Sequence, residues 1–310
     1  MASAVNPCVL VYDVGGSHIS ASVCSAGEYK LGPVERAGLP ESPTSQAFVD
    51  LLYALGMKAA DGLSEVEGAE LAMPGPFDYA QGISWMRHKL PYLYGVNVSQ
   101  ALAEHFGWQP ERVRFLNDAA AYLLGEVGAG AARGVSRVVG ITLGTGVGSA
   151  FAVDGRIVVK GDGVPPGGEI WNISYPPGIV EDVISTRAIQ RSYMERTGQE
   201  REVASIAHYA AGGDPAASEI FEEFGSHLGQ VLRKLLTGFA PQIVVLGGGI
   251  SRSANLFMST AIKELESMDV QLRISQLGDN APLAGAGVAW FSRSSASGKD
   301  PARVGATVLE

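Results

Sequence analysis

Positive charge is scarce in this chain. Lysine and arginine number 23 against 32 aspartates and glutamates, a formal net charge of -9. That leaves no basic footprint for nucleic acid, whose binding rests on Lys and Arg neutralising phosphates. Cysteine is scarcer still. Cys8 and Cys24 are the only two, too few for a multi-cysteine zinc site and at a spacing that matches no common metal or redox motif. Both are expected as small apolar side chains in or beside a strand. No apolar run reaches the roughly 18 residues of a membrane span, and the opening MASAVNPCVL has no basic stretch ahead of an apolar one. These absences predict a cytoplasmic protein with neither membrane nor nucleic acid as partner.

What is present is an ample apolar core, 46% of 310 residues, enough for one large or two medium domains at roughly 100–200 residues each. The most informative text occurs twice. Residues 9–24 read VLVYDVGGSHISASVC, and residues 138–160 read VVGITLGTGVGSAFAVDGRIVVK. Each copy is an apolar strand, a Gly-rich polar corner and a second strand running back, the second copy closing again at Asp154-Gly155, a strong hairpin signal. Gly15, Gly16, Gly144 and Gly146 allow sharp turns and let main-chain N–H groups approach a ligand without a Cβ in the way. Ser17, Thr142 and Thr145 add hydroxyls. Asp13, at the end of its strand, can hold Mg2+ directly or through water. One Gly-rich hairpin is commonly only a tight turn, but two copies together predict a clamp for nucleotide phosphates.

Between and after the two copies, a third strand is expected within 28–38 and a turn over 39–44. Thr44 or Ser45 then caps a helix to about Ala60, and a strand covers 68–73, stopped by Pro74-Gly75-Pro76. The aromatic stretch 77–94, with Trp85, His88, Lys89, Tyr92 and Tyr94, reads either as the lining of a sugar cleft or as a lid packed by its own rings. A helix over 98–106 leads to a strand that ends at Asn117-Asp118. Either residue suits a helix N-cap. The functional alternative has Asp118 taking a proton from a substrate hydroxyl while Asn117 binds a neighbouring one. Residues 161–187 read as a loop holding Glu169 and Glu181. Helices follow at 186–196, 202–211 and 216–238, the last with Phe221, Phe224, Leu228, Val231, Leu232 and Leu235 on one face. A buried strand then turns through Gly247, Gly248 and Gly249, where bare backbone suits an adenosine ring. A small-residue helix over 282–292 and a polar tail from 293 to 310 complete the chain.

Taken in order, DVGGSHI, PGP, FLNDA, ITLGTGVGSA, GGEI, VVLGGGI and LAGAGVAW resemble the ROK family of bacterial sugar kinases and related repressors, within the actin/hexokinase ATPase superfamily. The resemblance spans nearly the whole length. It implies an α/β, two-lobed, ribonuclease H-like ATPase fold with duplicated β-β-β-α-β-α lobes around a nucleotide cleft. The small lobe would cover 1–117 with the helix 282–292, the large lobe 118–281, and the two would close over their ligands. It also implies ATP and Mg2+ at residues 13–17, 142–146 and 247–249, Asp118 as general base, and Asn117, Glu169, Asn172 and Glu181 as sugar contacts in a homodimer. Departures are as informative. Where the family carries GEIGH and a CxCGxxGCxE zinc motif, this chain reads Gly168-Glu-Ile-Trp-Asn172 and Tyr175-Pro-Pro-Gly-Ile-Val-Glu181. No structural zinc is expected, the loop being held instead by Pro176, Pro177 and packing of Trp171. Ser17, His18 and Lys89 also stand where the family has other residues. The expectation is therefore an ATP-dependent sugar kinase. The alternatives are a non-catalytic sugar sensor, which would need a separate DNA-binding partner, and a kinase that uses polyphosphate.

Overall fold

The computed structural model describes residues 6–40, 43–61 and 66–296. Of the predicted features, part of the turn at 39–44 and the tail beyond 296 lie outside them. Residues up to Ala129, together with those from Asn280 onward, form one compact unit, and Gly130–Asp279 form another.

The first unit is built on β1 (Cys8–Val14), β2 (His18–Ser25), β3 (Glu35–Gly38), β4 (Ala69–Met73) and β5 (Val113–Asn117), in the sheet order β3-β2-β1-β4-β5. β1, β2 and β3 are antiparallel, while β4 and β5 run parallel to β1. Val9 to Tyr12 are all buried because both faces of β1 are covered. One face carries α1 (Ser45–Ala59), capped by Thr44, whose Oγ1 accepts from Ala47 N at 3.1 Å. Tyr12 donates from Oη to Leu52 O of α1. The other face carries α8 (Ala281–Ala296), where Gly287 lies directly on Cys24. Cys24 is thus the small buried residue expected, its thiol pushed up to about 12 by burial. α2 (Val98–Phe106) falls on its predicted residues.

α3 (Asp118–Ala129) belongs to this unit, although the sequence reading put it with the second lobe. The reason is its packing against α8. Ideal Cβ atoms at Gly125 and Gly285 would run into the main chains of Ala281 and Ala121, so only glycine lets the two helices come this close.

The second unit repeats the arrangement. β6 (Arg137–Leu143), β7 (Val147–Val153), β8 (Arg156–Val158), β9 (Ile243–Gly247) and β10 (Gln271–Ile274) are ordered β8-β7-β6-β9-β10. Again three antiparallel strands precede two that run parallel to the first. The β7–β8 turn at Asp154-Gly155 has both φ values positive, 49° and 76°, as a two-residue hairpin requires. α4 (Thr186–Thr197), α5 (Val203–Ala211), α6 (Pro215–Leu236) and α7 (Met258–Glu264) complete the unit. α6 buries Phe221, Phe224, Leu228, Val231 and Leu232 in the core of this unit, with Leu235 partly buried against it and Leu236 fully buried at the end of the stripe. No helix among the described residues is long and apolar enough to cross a membrane.

Candidate active site

In the first unit, β1 delivers Asp13, half-buried, to the start of the first corner. Gly15 N donates to His18 O at 2.9 Å and Leu39 N donates to Ser17 O at 2.8 Å, which fixes the loop. Ser17 Oγ lies 3.2 Å from His18 Nδ1. Both corners reverse the chain tightly, Val14 pairing with Ile19 and Leu143 with Val147, and none of Gly15, Gly16, Gly144 and Gly146 adopts a left-handed backbone to do so. Gly16 and Gly144 supply bare surface. A Cβ at Gly16 would touch nothing within 4 Å, and one at Gly144 only Gly146 O at 4.0 Å. Main chain that open can be approached closely by a phosphate.

At the junction of β5 and α3, Asn117 caps the helix, and Asp118 is its first residue. Asn117 Oδ1 accepts from Ala120 N at 3.1 Å, and Asp118 Oδ1 accepts from Ala119 N at 2.8 Å. Asn117 Nδ2 donates to Tyr79 Oη (3.3 Å), which donates to Met73 O (3.2 Å). This chain fixes the amide while leaving it a second N–H for another partner. Tyr79 was not singled out from sequence, since it lies 38 residues from Asn117. Within 77–94 the exposed Trp85 and Tyr94 meet edge to face at 5.7 Å with the Arg87 guanidinium 4.1 Å over Tyr94, while Phe77 packs on Phe115 and Tyr92 on Phe48 of the surrounding unit.

In the second unit, Thr142 pairs with Gly247 across β6 and β9, so the triple glycine abuts the second corner. Gly248 has φ 81°, and a Cβ there would come within 2.7 Å of Leu143 N, so only glycine fits. Gly249 faces open space, and Thr145 is exposed. Gly144 N donates to Gly146 O at 3.1 Å, and Gly144 O accepts from Thr186 N at 2.8 Å, tying the first turn of α4 to the corner.

Glu181 is drawn to this corner as well. Its Oε2 accepts from Val147 N at 3.0 Å and its Oε1 accepts from Arg187 Nη2 at 2.5 Å. Glu181 N donates to Trp171 O, which brings the segment from Glu169 to Asn172 alongside. Glu169 and Asn172 are exposed, and Glu169 Oε2 accepts from Trp171 Nε1 at 3.0 Å. Trp171, 39% exposed, does not pack the loop down as expected. The hairpin of Ser174–Tyr175 and Gly178–Ile179, turning at Pro176 and Pro177, is pinned to α6 by Tyr175 instead. Tyr175 Oη donates to Gln230 Oε1 at 2.9 Å and lies 3.1 Å from His227 Nδ1. Burial, aided by the Glu264 carboxylate, raises the Tyr175 phenol above its ordinary value. Arg187, His227 and Gln230 carried no signal in the sequence, because their partners are set by the tertiary fold. Among the described residues no three His, Cys, Asp or Glu side chains converge as a metal site.

The family model described as "ROK family" matches residues 9–293. The chain is 28% identical over 270 residues to a glucokinase of Thermotoga maritima, covering 79% of this chain and 82% of the relative. It is 28% identical over 273 residues to an N-acetyl-D-glucosamine kinase of Pectobacterium atrosepticum, covering 79% and 85%. A ROK family glucokinase from Streptomyces griseus, solved in complex with glucose and AMPPNP, superposes with a TM-score of 0.74 at 25% identity, covering 90% of this chain and 97% of that one. With its duplicated sheets in the hexokinase-like ATPase order and a family match over nearly its whole length, the chain belongs to the ROK family.

Proposed function

We propose that this protein is a sugar kinase, transferring the γ-phosphoryl group of ATP to a hydroxyl of a hexose or related sugar. The observation that carries the reading is the pair of open glycine corners, one on each copy of the same five-stranded sheet. The sugar-kinase names of relatives matched over about four-fifths of the chain support it.

In this reading the two corners and Gly247–Gly249 hold the nucleotide. Asp118 takes the proton of the acceptor hydroxyl as its oxygen bonds to the γ-phosphorus, the bond to the bridging oxygen breaks, and ADP departs. Asn117, Glu169 and Asn172 orient sugar hydroxyls. Glu181 has the same role by resemblance. A magnesium ion would suit the half-buried Asp13 carboxylate beside an open corner and would neutralise phosphate charge. Positioning and charge stabilisation carry most of such a transfer, which the acceptor-side departures at Lys89 and Asn172 leave untouched. The homodimer and the cytoplasmic setting are supported by resemblance and composition alone.

A coupled ADP-release assay with Mg-ATP against hexoses, amino sugars, N-acetyl sugars and polyols tests the proposal. Strong turnover with one sugar is expected, and Asp118→Asn lowers it by roughly 10²–10⁴-fold. Near-native turnover in that variant would overturn the base. Sugar binding without turnover would favour a sensor, and phosphosugar formed only from polyphosphate would change the donor.

A further inference from the structure

The hydroxyl of Tyr79 joins the ends of two neighbouring strands. Met73 and Asn117 close β4 and β5 as register partners, and Tyr79 Oη donates to Met73 O at 3.2 Å while accepting from Asn117 Nδ2 at 3.3 Å. The half-buried ring is held in place. Phe77 packs on Tyr79 at a centroid distance of 5.4 Å and on Phe115 of β5 at 5.0 Å. Asp78 Oδ1 accepts from Ala80 N at 3.1 Å and from Gln81 N at 3.0 Å, which shapes the turn that carries Tyr79.

The direction of these bonds decides what Asn117 can offer. A phenol has one proton, and that of Tyr79 is committed to Met73 O, so its oxygen meets Asn117 only as an acceptor. At the other end of the amide, Ala120 N–H requires an oxygen. A flipped amide would set NH2 against N–H at one end and oxygen against oxygen at the other, so one orientation alone satisfies both. We propose that Tyr79 is a positioning residue for the acceptor sugar: by holding Asn117 in this orientation it reserves the second amide N–H for a sugar hydroxyl next to the one phosphorylated. This rests on the kinase reading above, in which Asn117 binds that neighbouring hydroxyl. A hydroxyl that does not react is held equally well before and during transfer, so loosening its contact raises KM and leaves kcat alone.

The test is steady-state kinetics with Mg-ATP and the sugar that the wild type turns over fastest. Tyr79→Phe removes only the hydroxyl and raises the sugar KM about fivefold, the worth of one neutral hydrogen bond, while kcat and the KM for ATP stay within about twofold of wild type. A merely structural role would not produce that split. Asn117→Ser removes the amide but keeps an oxygen able to cap α3. In its background Tyr79→Phe shifts the sugar KM by less than about twofold, because no amide is left to orient. Melting temperatures confirm that the variants are folded. An unchanged sugar KM in Tyr79→Phe overturns the proposal, as does a loss carried by kcat instead. A fivefold rise that persists beside Asn117→Ser also overturns it, since Tyr79 would then act through another group. The kinase reading fails differently, in a wild type that phosphorylates no sugar of the panel, and the proposal falls with it.

Discussion

Glu70 lies in the middle of β4, fully buried, flanked in the sheet by Val11 on one side and Arg114 on the other. Its Oε1 accepts from Arg293 Nη1 at 3.0 Å, but its Oε2 is buried without a hydrogen bond. Burial outweighs the attraction of the Arg293 and Arg114 guanidiniums, and the carboxyl rises from 4.5 to about 7. Each factor of ten in proton affinity is worth about 1.36 kcal/mol, so protonation of Glu70 favours the folded protein by about 3 kcal/mol. Between pH 4.5 and 7 the native state holds a proton that the unfolded chain has lost. Stability from this group is therefore full below 4.5, declines as pH rises, and is gone above 7. Glu70→Gln removes that decline. Urea unfolding, followed through buried Trp290 of the same unit, should find the variant equal to wild type near pH 4.5 and more stable by up to about 3 kcal/mol at pH 8. A Gln variant less stable than wild type at pH 8 would refute the reasoning, because it would mean that the ionised pair with Arg293 repays its own desolvation.

Three further outcomes are expected. Gly285→Val drives a side chain into the Ala121 carbonyl and should cost about 1–3 kcal/mol in the same assay; a neutral effect would show that the α3–α8 contact can give way. Tyr175→Phe loses the bonds to Gln230 and His227, and amide exchange should accelerate at 174–179 while α6 stays protected; unaltered exchange in the hairpin would mean that Tyr175 does not hold it. Dialysis against EDTA should leave the melting temperature of the sugar-free protein unchanged, and a fall of about 5 °C or more with zinc in the dialysate would contradict a metal-independent loop.

The strands and helices were legible wherever a local pattern carried them. The repeated hairpin text gave both corners, Thr44 and the 3.6-residue stripes gave α1 and α6, and Asp154-Gly155 gave its turn. Contacts fixed by distant residues were not legible. Glu70 looks out of place in an apolar strand, but Arg293, 223 residues away, is unreadable as its partner. Trp171 was expected to pack because it is large and apolar, yet Tyr175 does the holding because its hydroxyl reaches polar groups on α6. The corner glycines were visible in the sequence, but that Gly16 and Gly144 stand open while Gly146 faces the Glu181 carboxylate is decided by the fold. Glu181 was visible as an unusual carboxylate, but its attachment to Val147 and Arg187 depends on how the 161–187 loop folds back.

The pairing of α3 with α8 sets an order on synthesis. Gly130–Asp279 is contiguous and can complete itself while the ribosome is still translating the chain. The first unit cannot, because the helix that covers Cys24, Glu70 and the glycine face of α3 is encoded after the whole of the second. Until residues 281–296 emerge, a five-stranded sheet waits with one side uncovered. An apolar sheet face left open in that interval is exposed to misassociation, and a chaperone that shields it would act on the part made first.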